Sequence, residues 1–396
     1  MIAASAKIGV VGAGAMGRGI AQVAAAAGHR VVLADARAGA ASDAHATIGT
    51  ALAGLVAKGK MAANVREGIV QRIAPVESPD ASLDLHAFAE CGLVIEAIVE
   101  DLGAKQALFG TLAPVVGPDA ILATNTSSLS VAAIAAAVED PCRVIGLHFF
   151  NPPPVMPLVE VVPWAGARAE LAVQCAALMR AWGKTPVICT DTPGFIVNRV
   201  ARPYYGEALR IAEEGIADYS TIDWAMRTLG GFRMGPFELM DFIGNDVNFS
   251  VTRSIFEAFF FEPRYRPSLT QQRLVAAGHL GRKTKRGYYE YGDGVAIPEP
   301  VKDEALGATI VARVRAMLIN EAVDALRLRV ATAADLDTAM VSGVNYPKGL
   351  LAWCDELGAA TVLATLEQLH DEYLEERYRP SPLLRRAARD GLRFRS

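Results

Sequence analysis

Lys7-Ile-Gly-Val-Val-Gly12-Ala-Gly14-Ala-Met-Gly17 is the stretch on which the fold turns. A short apolar run, glycines spaced G-x-G-x-x-G and an Ala-rich segment through Ala27 follow one another without a gap. The run reads as a buried strand and the Ala-rich segment as a helix. Gly12 permits a tight turn between them, Gly14 lets the backbone approach a pyrophosphate, and Gly17 allows close helix–strand packing. Ala15 and Met16 open the helix, whose first N–H groups would face the phosphates. Gly28 stops that helix, and Arg30–Ala34 reads as a second strand leading to Asp35, 18 residues after Gly17. The Asp35 carboxylate would accept from the ribose 2′- and 3′-hydroxyls and repel a 2′-phosphate, which favours NAD over NADP. The glycine pattern alone is weak. The strand before it, the helix after it and the acid closing the second strand carry the reading, against a dinucleotide fold that has lost its ligand.

Further apolar runs at Leu93–Ile98, Ala120–Ala123, Val144–Phe149 and Leu158–Val162, mostly separated by helical stretches, indicate a doubly wound, largely parallel sheet over residues 1–190. From Phe195 to about Gly278 the apolar spacing is helical, and the next strand expected is Gly287-Tyr-Tyr-Glu-Tyr291. Gly292–Pro300 reads as a linker to a last helical segment. That segment repeats the one before it. Setting Glu207 on Glu321 also sets Asp223 on Asp337, Met226 on Met340, Gly235 on Gly349, Asp241 on Asp355 and Gly244 on Gly358. With one residue of slip Arg266-Pro-Ser268 matches Arg379-Pro-Ser381. The fold expected is therefore α/β: a Rossmann-type domain, 1–190, then two copies of an all-α domain, 191–292 and 298–396. The second copy ends before any counterpart of Leu280–Gly287.

Length and composition agree with this. A chain of 396 residues exceeds one ordinary core, and 52% hydrophobic with 21% charged residues is a globular balance. A net charge of −4 with no basic run gives no footprint for nucleic acid. No stretch approaches the ~20 apolar residues that span a bilayer. Met1–Lys7 pass straight into the first strand, which argues against a cleaved leader. The five cysteines are scattered without any Cys-x-x-Cys, so reduced thiols, a cytoplasmic setting and no metal site are expected.

Two oddities point to chemistry. His148 closes an apolar strand at Val144-Ile-Gly-Leu-His-Phe-Phe-Asn151, and strand ends are where ligands bind in this architecture. Glu160 sits inside Leu158-Val-Glu-Val-Val162, where an unpaired carboxylate is costly. Pairing the two resolves both, the carboxylate holding one ring nitrogen so that the other serves as general base. Thr124-Asn-Thr-Ser127-Ser-Leu129 and Asp191-Thr-Pro-Gly-Phe-Ile-Val-Asn198-Arg199 are polar islands of the same kind. Read alone, Ser127 or Ser128 is a helix N-cap and Asn198 a helix-surface residue.

Taken together, Gly12–Gly17, Glu96–Glu100, Asn125–Leu129, His148–Asn151, Glu160, Asp191–Arg199, Met234-Gly-Pro-Phe-Glu-Leu239 and Gly281–Tyr288 resemble, in order, the motif series of the L-3-hydroxyacyl-CoA dehydrogenase family. The tail resembles the second C-terminal domain of longer bacterial members. The resemblance implies NAD-dependent oxidation of a 3-hydroxyacyl-CoA to the 3-ketoacyl thioester, in fatty-acid or aromatic catabolism. It implies His148 as base, Glu160 as its orienting partner, and Ser127 and Asn198 as donors to the substrate oxygen. Glu100, Lys105 and Asn125 match cofactor-side positions, and Asn151 and Lys58 substrate-side ones, Lys58 toward the CoA phosphates. A serine that some members use for CoA is Ala51 here. The second copy has Ala312 where the first has Asn198, so it should form no second site and instead pack on the first, in a monomer or homodimer. Competing readings are a sugar-acid dehydrogenase of the lambda-crystallin type and an NAD-binding protein without turnover. Arg202, Arg233 and Arg253 are candidates to counter a terminal carboxylate on the acyl chain.

Overall fold

A computed structural model describes residues 5–76 and 83–395. Residues 1–4, on which the leader question falls, lie outside them. The chain forms two compact units, Met1–Thr192 and Pro193–Ser396.

The first unit is an eight-stranded sheet: β1 (Lys7–Val11), β2 (Val31–Ala34), β3 (Ile73–Val76), β4 (Cys91–Glu96), β5 (Ile121–Thr124), β6 (Val144–Phe149), β7 (Leu158–Val162) and β8 (Thr185–Ile188). Their spatial order is β3-β2-β1-β4-β5-β6-β7-β8. All neighbours are parallel except β6 and β7, which pair antiparallel. Helix α1 (Ala15–Ala26) packs the buried face Ile20, Ala21, Val23 and Ala24 on the sheet, among Ile8, Val10 and Leu33. The other helices of this unit are α2 (Ala40–Ala57), α3 (Ala63–Gln71), α4 (Leu102–Leu112), α5 (Val131–Ala135) and α6 (Leu171–Ala181). Strand order reverses between β1 and β4, so a crevice opens beyond the carboxyl ends of those two strands.

The second unit is helical, and the repeat is visible in it. The first half holds α7 (Val197–Val200), α8 (Arg202–Glu213), α9 (Tyr219–Trp224), α10 (Pro236–Ile243), α11 (Asn245–Ala258) and α12 (Leu269–Ala276). The second holds α13 (Glu304–Arg327), α14 (Ala333–Val344), α15 (Leu350–Leu357), α16 (Ala359–Tyr373) and α17 (Pro382–Asp390). The matched aspartates do the same work in each half. Asp223 accepts from the N–H groups of Phe237 and Glu238 at the start of α10, and Asp337 from those of Leu351 and Ala352 at the start of α15. A side chain on Gly235 or Gly349 would collide with these carboxylates, which is why glycine stands at both places. Burial pushes the Asp223 carboxyl up to about 7 and raises Asp337 as well, against the pull of those N–H groups.

One expected strand is not formed. Gly287–Tyr291 makes only isolated bridges, Gly281 with Arg286 and Arg286 with Glu290. The segment curls around Asp241, which accepts from the N–H of Tyr288 and Tyr289 and from the Tyr291 hydroxyl. The tyrosine-rich run mimics a strand in sequence, but the curl buries the consecutive Tyr288 and Tyr289 together, as no strand would on one face. In the second half Asp355 finds a substitute for the missing segment, accepting from Phe394 N–H at 2.8 Å and Arg395 N–H at 2.7 Å.

The two halves also bond reciprocally. Glu321 of the second accepts from Arg199 Nε at 2.6 Å and the Tyr265 hydroxyl at 2.6 Å, both of the first. Glu207 of the first accepts from Arg313 Nε at 2.7 Å and the Tyr378 hydroxyl at 2.6 Å, both of the second. Arg313 is the repeat counterpart of Arg199, and Tyr378 that of Tyr265. The second copy packs on the first as an internal partner.

Candidate active site

In the first unit β1 ends in the glycine turn. Gly12 has φ +102, and a Cβ there would collide with the Ala97 carbonyl beyond β4. A Cβ on Gly17 would collide with the Gly12 carbonyl, so α1 can start this close to the strand only as glycine. Gly14, N-cap of α1, has open space where its side chain would be. That space belongs to a cavity of about 870 Å³ lined by Gly12, Gly14, Asp35, Ala97, Ile98 and Val99, among others. Asp35 accepts from Ala13 N–H at 2.7 Å and Arg37 N–H at 2.9 Å, which fixes its carboxylate at the cavity wall. The glycine turn, the helix start and the acid all border one volume, so a dinucleotide fits the residues present.

Five strands on in sequence, His148 and Glu160 are direct cross-strand partners in the antiparallel β6–β7 pair. The His148 Nδ1–Glu160 Oε2 distance is 2.6 Å, with Glu160 0% and His148 6% exposed. At so short a distance in a dry environment the carboxylate dictates which ring nitrogen carries the proton. Phe150 stacks at 4.5 Å from the imidazole. The Pro152–Met156 turn beyond it is held by Lys184, whose ammonium donates to the carbonyls of Pro153 and Met156.

The Asn125–Ser128 turn is tied to this strand. Asn125 Oδ1 accepts from Phe149 N–H at 2.8 Å. Glu100 Oε1 accepts from Thr126 and Ser127 hydroxyls and from the N–H groups of Ser127 and Ser128. Burial pushes the Glu100 carboxyl up, but the Thr126 hydroxyl, the Lys105 ammonium and Ser127 N–H outweigh it and hold the group below the ordinary range. Lys105 is buried, its Nζ 2.6 Å from Glu96 and 3.3 Å from Glu100. The N-cap of α5 is Ser130, not Ser127 or Ser128, and Asp191 accepts from the same helix start at Val131 and Ala132. Ser127 and Ser128 are drawn away from it by Glu100.

Glu96 is the member that residue reading missed. It ends β4 1% exposed, accepting from Lys105, from Ile98 N–H at 2.7 Å and from the Thr124 hydroxyl at 2.7 Å. The signal that exposed Glu160 was present here as well, a carboxylate closing the apolar run Cys91–Ile95. The remaining candidates stand on other elements. Lys58 is exposed at the C-cap of α2, Asn151 is exposed beyond β6, and Asn198 stands on α7 in the helical unit, its carbonyl accepting from Arg202. Among the described residues no cluster of three His, Cys, Asp or Glu side chains could hold a metal, and no helix is long and apolar enough to cross a membrane.

A dinucleotide crevice at the sheet's switch point and a buried carboxylate–imidazole pair on the same strand ends define a nicotinamide-dependent dehydrogenase of alcohols. The NAD-binding domain model of 3-hydroxyacyl-CoA dehydrogenase matches residues 7–192, and the C-terminal domain model of that enzyme matches twice, at 194–291 and 310–393. The chain is 43% identical to 3-hydroxyadipyl-CoA dehydrogenase of Escherichia coli K12, over 96% of this chain and 97% of that one. The human mitochondrial hydroxyacyl-coenzyme A dehydrogenase is 42% identical over 71% of this chain and 90% of its own. A crystal structure of 3-hydroxybutyryl-CoA dehydrogenase from E. coli K12 superposes with TM-score 0.91 at 41% identity, covering 97% of this chain and 98% of that one. The chain belongs to the 3-hydroxyacyl-CoA dehydrogenase family. It is an oxidoreductase of 3-hydroxyacyl-CoA thioesters that uses NAD, and these comparisons do not favour the sugar-acid and non-catalytic readings.

Proposed function

We propose that the chain oxidises (S)-3-hydroxyacyl-CoA to 3-ketoacyl-CoA with His148 as general base. The observation that carries this is the buried His148–Glu160 contact at 2.6 Å, on facing residues of β6 and β7. Glu160 accepts from Nδ1–H, so Nε2 is the nitrogen that takes the hydroxyl proton. The carboxylate then sits against the imidazolium that results. NAD bound along the Gly12–Gly17 turn supplies the hydride acceptor. Asp35 receives the ribose hydroxyls, Ala15 and Met16 belong to the phosphate-facing helix start, and Glu100, Lys105 and Asn125 hold the wall on the nicotinamide side. Ser127 and Asn198 donate to the C3 oxygen as it becomes a carbonyl. Lys58 and Asn151 meet the CoA portion of the substrate. The helical copies are bounded at 191–292 and 298–396, and the second leaves the chain a monomer by covering the face of the first. The setting is the cytoplasm.

The test is oxidation of NADH with acetoacetyl-CoA. His148→Gln should lower kcat by about 10²–10⁴-fold, the range general-base catalysis supplies, and Glu160→Gln by about 10²-fold. A His148→Gln enzyme within a few-fold of wild type would remove the histidine from the mechanism.

A further inference from the structure

The loop joining the two strands of the His148–Glu160 pair is Phe150-Asn-Pro-Pro-Pro-Val-Met-Pro157, between β6 and β7. Four of its residues are prolines, which have no N–H to give. Val155 and Met156 spend theirs inside the loop, on the Pro152 carbonyl at 2.9 and 3.0 Å. The loop is also thinly covered, for between Asn151 and Pro157 only Pro153 is buried. A segment so short of donors and of apolar cover is fastened to its domain chiefly by giving its carbonyls to donors from outside.

Two of those carbonyls go to one side chain. Lys184 Nζ donates to the Pro153 carbonyl and, at 2.9 Å, to that of Met156. The lysine stands at the turn from α6 into β8, after Gly183 at φ +73, with its own N–H on the Met179 carbonyl at 2.9 Å. The next residue, Thr185, donates to the Pro157 carbonyl at 2.8 Å, so the ammonium reaches back over the loop from the strand that flanks β7. Lys184 is buried and forms no ion pair among the described residues. Burial holds its ammonium below the ordinary lysine range, a cost that the two carbonyl dipoles offset. From the other side the loop rests on the cofactor helix. A Cβ on Gly19 of α1 would come within 2.7 Å of the Pro153 ring, and the N-cap of that helix, Gly14, borders the dinucleotide cavity. Pro153 is thus clamped between Gly19 and Lys184. Three residues earlier, Phe150 has its ring 4.5 Å from the His148 imidazole.

We propose that Lys184 is a positioning residue for the dehydrogenase reaction. By clamping the Pro153–Met156 backbone on α1 it fixes Phe150 and the end of β6, and with them the direction in which the His148 imidazole faces. This rests on the reading that His148 is the base. Lys184 touches no reacting group and acts only through the loop. Displacing a catalytic group by about 1 Å costs as much as ~10²-fold in rate, so the clamp matters by preventing small shifts.

The experiment is a double-mutant cycle in kcat on the NADH–acetoacetyl-CoA reaction, with Lys184→Met, His148→Gln and the two together. Lys184→Met should lower kcat by roughly 10- to 100-fold, with the KM for NADH within about threefold of wild type. In the His148→Gln background the same change should cost under about threefold, because the group it positions is gone. Lys184→Gln keeps an uncharged donor and should fall between Lys184→Met and wild type. It takes the place of Lys184→Met in the cycle if that variant melts below the assay temperature. A loss of equal size in both backgrounds, which a lysine needed only for stability would give, overturns the proposal. So does a Lys184→Met enzyme within about twofold of wild type in kcat. Either result leaves the reading of His148 intact, whereas a His148→Gln enzyme near the wild-type rate sinks both.

Discussion

Replacing Glu207 by Gln tests the reciprocal bonding of the two helical copies. Glu207 is fully buried and accepts from Arg313 Nε at 2.7 Å, Tyr378 Oη at 2.6 Å and Arg210 Nη1 at 3.1 Å. The amide keeps the shape but removes the charge, leaving the half-buried Arg210 without its carboxylate. Breaking a buried pair from one side costs about 3–5 kcal/mol. Arg313 retains Glu214 at 3.0 Å, which places the cost near the lower end, about 3 kcal/mol. At roughly 2–4 °C per kcal/mol for a unit of this size, the melting midpoint should fall by about 6–12 °C. Glu321→Gln should cost a similar amount, because it breaks the mirrored contacts to Arg199, Arg264 and Tyr265. Asp246→Asn, which breaks an exposed pair with Lys283, should cost under ~1 kcal/mol. The effect of Glu207 also has a pH signature. Burial pushes its carboxyl up, but Arg210, Arg313 and the Tyr378 hydroxyl hold it below the ordinary range. A folded value below the unfolded one stabilises above the unfolded value and is lost as pH falls through the folded one. The wild-type advantage over Glu207→Gln is therefore full at neutral pH and should shrink below the ordinary carboxylate range. Circular-dichroism melts from neutral to acid pH read both quantities. A neutral-pH shift under ~3 °C, or a gap that widens in acid, would refute the reasoning.

Asp35→Asn removes the charge that repels a 2′-phosphate while keeping one acceptor for Ala13 or Arg37 N–H. The ratio of kcat/KM for NADH over NADPH should drop about tenfold or more, and an unchanged ratio would release Asp35 from cofactor choice. A chain ended after residue 292 loses Arg313 and Tyr378, the partners of Glu207, and strips Arg199 and Tyr265 of Glu321. Two such chains can supply each other with Arg199 and Tyr265, so light scattering should find dimers; a well-folded monomer would count against the pseudo-twofold reading.

What could be read in the residues followed their physical cost. The glycines at 12 and 17 were legible because nothing larger fits against Ala97 and the Gly12 carbonyl, and Glu160 because a carboxylate inside an apolar strand demands a partner. The repeat was legible because Asp223 and Asp337, and the glycines packed on them, recur at one spacing. Strands β3 and β8 were missed. Each holds a proline, Pro75 or Pro186, which argues against a central strand. Both lie at the edges of the sheet, where a missing N–H can be tolerated, and edge position is not written in a short run of residues. Glu96 and Ser130 were missed for another reason: their roles depend on Lys105, nine residues on, and on Asp191, 61 residues on.

The comparison of the two helical copies separates what the fold needs from what the reaction needs. Where the fold sets the requirement, the copies agree in residue and in bond. Asp223 and Asp337 hold helix starts, Asp241 and Asp355 each gather two backbone N–H groups, and Glu207 and Glu321 each take an arginine and a tyrosine from the other copy. Asp355 keeps its role even though the segment that serves Asp241 has no counterpart, because Phe394 and Arg395 fold back to supply the donors. Where the copies differ, the first carries a polar group and the second an alanine. Asn198 stands against Ala312 and Arg202 against Ala316, and the helix carrying the two alanines, α13, forms without either polar group. Ala316 is buried in α13 where Arg202 is buried in α8, so an apolar residue satisfies that position at no desolvation cost. The shared fold therefore does not by itself demand polar residues at these two positions, and what they do in the first copy is a matter of that copy's own surroundings, where Arg202 donates to the Asn198 carbonyl and the Thr252 hydroxyl.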